Sequence, residues 1–587
     1  MKKGATVAEF DPPLLLEEAY PEPFSSVAPK VKLAPSSAPG LVWLSPLPLV
    51  ALAACGGGGG GDAGTGAVTP VAPAPVAVAP TLAESARFLE QASIGATGDE
   101  ILALSQSSFD AWLTTQFAAP TSQSHWDWQV ANGWADIANQ FNRTGLDNSV
   151  WRKLLSSPDP LRQAVTLALS EIMVVSSDGV DTAWPHLAVG AYLDILEANA
   201  FGNFRTLLQQ ISTSPAMGVY LTFRNNQKAN AAGALPDENY ARELMQLFTI
   251  GLNELNADGT NRLPLAETYA QNDISQLARV FTGWNYNAFS STDPGYLQRA
   301  MINTASQHET GASTFLTTTI PAGNDGAASL KLALDGIFAH ANVGPFIAKQ
   351  LIQRLVTSNP SAAYVGRVAA VFNNNGSSVR GDLQATVRTL LLDTEARSVG
   401  GATSAGKLKE PALRLAQWAR SFSAKSTAGA WNIGNLNDPA TKLGQQPMRA
   451  PSVFNFFRPG YVPPATALGA QGLVAPELQI TTESSVAGYL NFMQRTISSS
   501  AASATAGVNG SDVVPDYSKL LALVADTQGL VNELNKLLAS FRLSAATQST
   551  IKTTLDGMPV ATDANKLNRI YAAVLLVMAT PEYLVQK

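Results

Sequence analysis

The chain has a single cysteine, Cys55, and six glycines, Gly56 to Gly61, follow it directly. One cysteine excludes an internal disulfide and any cysteine-built zinc cluster, so a folded body must be held without either. The same point divides the sequence into unlike parts. Residues 56–80 are almost wholly glycine, alanine, proline and valine, with Asp62 their only charge. Such a segment cannot bury a core and reads as a disordered tether with a reach of roughly 25–30 Å. Residues 81–587 are apolar enough, and long enough, to bury a large core without covalent staples.

An apolar run, Leu41 to Ala54, leads into Leu52-Ala53-Ala54-Cys55. This resembles the lipobox of bacterial lipoproteins, whose cysteine is lipidated and becomes the first residue of the mature chain. The run is too short to span a bilayer, and Pro46 and Pro48 oppose a membrane helix. Ala53 and Ala54 leave room for a peptidase, and the Cys55 thiol would accept a diacylglyceryl group. At about 0.8 kcal/mol per buried methylene, two or three acyl chains anchor a protein stably. Residues 1–54 thus read as a signal peptide with an atypical extension. Glu9, Asp11, Glu17, Glu18 and Glu22 stand where a short basic region belongs, and Lys30 and Lys32 come only just before the apolar core. The plainer alternative is a lone buried cysteine after an ordinary signal peptide. Gly56 is not the aspartate associated with inner-membrane retention in enteric bacteria, so the expected address is the outer membrane, on its periplasmic or surface face. A formal net charge of −6 without a basic cluster argues against nucleic acid as a partner. Ala572 to Ala579 is far too short for a later membrane span.

The body carries helix signals throughout. Thr81-x-x-Glu84 and Thr97-x-x-Glu100 are capping boxes, and Asp159-Pro160 supplies an N-cap and a first-turn proline. Asp237 is expected to open a helix whose apolar face holds Tyr240, Ala241, Leu244, Met245, Leu247 and Phe248; Asp273 precedes a similar pattern. Phe346 to Val356, Gly381 to Leu392, Pro411 to Phe422, Ser484 to Ile497 and Leu567 to Ala579 share the period. Strict alternation is scarce. The expectation is a mainly α, multi-helix globular body over 81–587, with a short hairpin between Tyr286 and Pro321. Polar stretches at 423–446 and 498–516 mark weak boundaries, and 516–587 could form a subdomain.

Ordered sequence blocks make the body resemble the bacterial family called domain of unknown function 1800. They include Ala86-Arg87-Phe88-Leu89, Ala200-Phe201-Gly202-Asn203-Phe204-Arg205, Ala278-Arg279-Val280-Phe281-Thr282-Gly283-Trp284 and His308-Glu309. The densest runs from Pro236 to Gly251; Pro451-Ser452-Val453-Phe454-Asn455-Phe456-Phe457 and Thr580-Pro581-Glu582-Tyr583 complete the set. The resemblance implies an exported protein without an established activity. It also implies a periplasmic or surface partner from a co-encoded exported family, domain of unknown function 1501, which resembles sulfatases and alkaline phosphatases. Ser313 departs from the pattern by standing where a lysine is expected.

Three places could carry chemistry. On the Asp237 helix, Glu238 and Arg242 are four apart, as are Asn239 and Glu243. Facing a cleft, Glu238 or Glu243 could act as general acid or base while Arg242 holds an anionic or sugar group. The competing reading is a salt-bridged helix start, worth about 0.2–0.5 kcal/mol per pair. At His308-Glu309, His308 could join Glu238, Glu243 or Asp273 in a carboxylate-rich metal site if the fold brings them together, or it could simply bond a loop backbone. The loop Met448 to Tyr461 sets Arg449, Asn455 and Arg458 among Phe454, Phe456, Phe457 and Tyr461, which suits a sugar or aromatic ligand but equally suits core anchoring. With four histidines, no His-Glu-x-x-His, no nucleophile elbow and no phosphate-binding glycine motif, neither a metal nor a cofactor is expected. Two functional classes remain: an anchored protein that binds or presents another exported macromolecule, and an envelope hydrolase acting on a glycan or polymer through Glu238, Arg242 and Glu243.

Overall fold

The computed structural model describes residues 79–398, 405–498 and 512–587. The readings of the signal peptide, of Cys55 and of nearly all the tether lie outside the described residues, as does most of 498–516. Both capping boxes form as written: Thr81 Oγ1 and Thr97 Oγ1 accept the amides of Glu84 and Glu100, whose carboxylates accept the Thr81 and Thr97 amides. Asp159 occupies the N-cap position of Pro160–Ile172 without capping it, because its side chain turns to Arg162 and Gln163.

The body is mainly α, with twenty-four α-helices among the described residues. Strands are two or three residues long and form four antiparallel pairs. The hairpin Ser313–Phe315 with Thr318–Ile320 falls inside the expected window, and Ser313 is buried in its first strand. Lys407–Leu408 pairs with Val585–Gln586, so the last residues fasten onto the middle of the chain.

Pro185–Asn199 is the central helix. It is buried over most of its surface and packs against His125–Ala131, Thr144–Ser156, Pro160–Ile172, Phe204–Ile211 and Pro215–Tyr220. A helix surrounded in this way needs no polar stripe, and its sequence shows little amphipathicity. Farther along, Val343–Leu355 lies against Ala362–Asn373, which packs on Leu383–Leu392. Thr527–Ala539, Ala545–Asp556 and Asp563–Met578 pack on one another. They join the rest through Pro411–Ser421 and Glu483–Ile497. Gly488 permits one close approach, since a Cβ there would stand 2.3 Å from the Pro439 carbonyl oxygen.

Candidate functional site

The loop from Met448 to Tyr461 is anchored by buried Phe457 and by Arg449, which is 9% exposed. Arg449 forms a two-pronged pair with Asp147 at 2.8 and 2.9 Å and reaches Asp178 at 2.7 Å. Burial raises the Asp147 carboxyl above its usual range, and Arg449 works against that rise. Asn455 adopts φ +61°, a left-handed conformation that asparagine tolerates, and is buried. Arg458 is exposed and lies over the Phe454 ring at 4.7 Å. Phe457 and Arg449 therefore fasten the loop, while other residues face open space.

That open space is two concavities. On one side a cleft of about 610 Å³ is lined by Arg449, Pro451, Phe456, Asp178, Tyr220 and Thr482, among others. On the other a groove of about 650 Å³ runs between Pro459–Gly460, the segment 250–261 and the helix Val343–Leu355. Gln353 Nε2 bonds the carbonyls of Ser358 and Pro459 at 3.0 and 3.5 Å, and Asn359 clamps Val474 by both its amide and its carbonyl. These amides fix the groove's walls. Gly251, at φ +73°, lets the backbone pass Phe346, whose ring would stand 2.9 Å from a Cβ there.

The helix expected from Asp237 spans Asn239–Gln246, with Glu238 at the N-cap. It is shorter than the apolar pattern suggested, because the chain leaves helical geometry before Phe248 and turns at Gly251. Tyr240, Ala241, Leu244 and Met245 are buried as expected. Glu238 accepts from Gln271 at 2.7 Å, Ser275 at 2.6 Å and Arg242 at 3.3 Å, which ties the helix to Gln271–Ala278. Asn239 donates to Thr222 at 2.9 Å. Glu243 differs from these. Its Oε2 is buried without a hydrogen-bond partner, and burial pushes the carboxyl from 4.5 up to about 7 against the opposing pull of Arg242. Glu243 in turn helps raise the Tyr220 hydroxyl, so the two side chains are neighbours.

His308 is buried; its Nδ1 lies 3.0 Å from the Thr282 carbonyl oxygen and its Nε2 3.2 Å from Ser329 Oγ. Glu309 pairs with Arg279 at 3.5 Å. Among the described residues, neither concavity is lined by Glu238, Asn239, Arg242, Glu243, His308 or Glu309. Of the loop's predicted residues, Arg449 lines the cleft of about 610 Å³, whereas Asn455 and Arg458 line neither concavity. The structure holds the Asp237 helix and His308 in separate hydrogen-bonded settings.

The body also buries charges that no sequence pattern marks. Glu90 meets Arg542 at 2.5 and 2.9 Å and Lys409 at 3.1 Å. Arg542 and Lys409 outweigh burial and hold the Glu90 carboxyl at about 2. Arg542 already matches that charge, so Lys409 is the surplus cation, and burial lowers it to about 7. Glu171 has the opposite fate. It is buried beside Glu410, to which it hydrogen-bonds, and both burial and that neighbouring charge raise its carboxyl well above the usual range. Arg354, Lys407 and Glu477 complete the group. His125, Asp194 and Glu197 place ligand-type atoms within 4.8 Å of one another. There Asp194 accepts the amides of His125 and Trp126 at 2.7 and 2.9 Å, and Lys153 sits on Glu197 at 2.7 Å, so a lysine supplies the positive charge. These partners lie tens to hundreds of residues apart, and no local pattern announces them.

No curated protein and no solved structure matches this chain. The family described as "Protein of unknown function (DUF1800)" matches residues 87–585, a span that takes in all of the sites above. The chain belongs to that family, and the blocks from Ala86 to Tyr583 are its mark in this sequence.

Proposed function

We propose that this chain is a lipid-anchored cell-envelope protein whose helical body binds another exported macromolecule along the groove beside Pro459–Gly460. The supporting observation is the groove's lining: aliphatic side chains, Phe346, glycines and prolines interspersed with amides, Ser358 and one lysine, with no carboxylate and no histidine. Proton transfer by a carboxylate or imidazole needs such a group within reach of the ligand, whereas retention needs shape and hydrogen-bonding groups. The lipobox-like segment at Cys55 supplies the anchor in this reading, and the family resemblance makes a co-exported protein of domain of unknown function 1501 a candidate partner elsewhere on the body. Two measurements test it. Mass spectrometry of the native N-terminus should find an acylated Cys55, and Cys55→Ser should move the protein from the membrane to the soluble fraction. Capture of the full-length protein from solubilised envelope should return one enriched macromolecule. An unmodified Cys55 sinks the anchor, and background alone sinks the binding role.

Glu243 favours a second reading, an envelope hydrolase using Glu243 with Glu238 and Arg242. An unpartnered half-buried carboxyl near 7 is what a general acid requires. Assay of wild type against glycan and polymer substrates decides it: turnover abolished by Glu243→Gln supports the hydrolase, and turnover unaffected by that change excludes it.

A further inference from the structure

The groove of about 650 Å³ has one charged residue in its lining, Lys349. Lys349 projects from the helix Val343–Leu355 and is solvent-accessible, and among the described residues no hydrogen bond or ion pair engages it. Other lysines of the body that face enclosed space are matched: Lys153 by Glu197, Lys407 by Glu477 and Glu410, Lys409 by Glu90. In a chain with net charge −6, a cation facing a groove without a carboxylate in its walls is an uncompensated positive site. The surrounding protein lowers its pKa by partial removal of water, and a bound anion would reverse that cost.

Beside Lys349 the groove offers neutral hydrogen-bonding groups still free to act. Among the described residues the side chains of Asn253 and Asn261 carry no partner, and the Gln350 side chain uses only its carbonyl oxygen, on Arg354. Phe346 presents a ring in the same wall. Carboxamides pair with hydroxyls as donor and acceptor at once, and an aromatic face covers the apolar side of a sugar ring. Extended peptides are most often held by pairing to an open strand edge; among the described residues none of the named strands lines this groove, where Leu255 and Asn261 are bridged to each other and Asn253 to Glu267.

We propose that the groove binds an acidic saccharide chain, with Lys349 taking its anionic substituent and Asn253, Asn261 and Gln350 its hydroxyls. This rests on the binding reading of the groove and is independent of the lipid anchor. The test is titration calorimetry on the full-length protein in detergent. The probes are a galacturonate oligosaccharide, its methyl ester, a sulfated heparin hexasaccharide and poly-glutamate. At least one of the two acidic saccharides should bind at least tenfold more tightly than the neutral ester. The galacturonate and heparin arms separate a carboxylate from a sulfate substituent. Lys349→Met should abolish that preference, and Lys349→Arg should retain most of it. Because Lys349 is accessible and unpaired, both variants should keep the wild-type melting temperature. The proposal fails if neither acidic saccharide outbinds the ester, if Lys349→Met binds like wild type, or if poly-glutamate binds as tightly as the best saccharide. A neutral glycan or a protein recovered from envelope in place of an acidic saccharide would leave the binding role standing and overturn this ligand assignment.

Discussion

Glu90 and Glu171 are both buried glutamates in charged surroundings, and replacing each by glutamine should have opposite consequences. Glu90 stays ionised because Arg542 and Lys409 face it. At 3.1 Å its attraction to Lys409 alone is about 5 kcal/mol at an effective dielectric constant near 20. Removing the carboxylate leaves buried cations without a counter-charge, which costs about 3–5 kcal/mol net. The folded carboxyl lies near 2 against an ordinary 4.5, which is independently equivalent to about 3 kcal/mol. Because the folded value is the lower one, that stability is fully present above pH 4.5 and is lost as pH falls toward 2. Burial and Glu410 raise the Glu171 carboxyl well above its usual range, so an amide can replace it with a change below about 1 kcal/mol. For a body of about 500 residues, 4 kcal/mol lowers the melting temperature by about 4 °C. Differential scanning calorimetry at pH 7 and a fixed scan rate should therefore show Glu90→Gln about 3–5 °C below wild type and Glu171→Gln within about 1 °C. The gap between Glu90→Gln and wild type should narrow as pH is lowered below 4.5. Adding Lys409→Met to Glu90→Gln should recover part of the loss. Equal shifts for the two glutamines would refute the charge assignments.

Other expectations are as direct. The Glu243 carboxyl is raised from 4.5 to about 7, so its folded form prefers the proton and its contribution to stability falls as pH rises through 7. Glu243→Gln should melt above wild type at pH 8, and the two should converge below pH 4.5. Arg449→Met strips the buried Asp147 of its two-pronged partner and should cost about 3–5 kcal/mol in urea denaturation; Arg449→Lys, unable to reproduce the fork, should lose part of that. Gly488→Ala drives a methyl group into the Pro439 carbonyl and should cost about 1–3 kcal/mol by the same assay. Lys331→Ala breaks a largely exposed pair with Asp335 at 2.6 Å and should change stability by under about 1 kcal/mol.

What could be read without coordinates is what neighbours in sequence decide. Thr81 and Thr97 cap helices because their partners sit three residues away, and helical periodicity announced Pro411–Ser421 and Asp563–Met578 to within a few residues. A single cysteine ruled out disulfides, and the ordered blocks named the family. The tertiary structure alone decided where charge goes. Arg449 finds Asp147 across 302 residues and Glu90 finds Arg542 across 452, distances at which sequence carries no spacing rule. It also separated residues that looked alike: Glu238 and Glu243 share one helix, yet one is tied by three neighbours and the other keeps a buried oxygen with none. Lys349 is likewise unremarkable until the walls around it prove to contain no acid. Helix signals act over one turn of chain and are written locally, whereas desolvation and ion pairing depend on which surfaces meet, and folding alone brings those surfaces together.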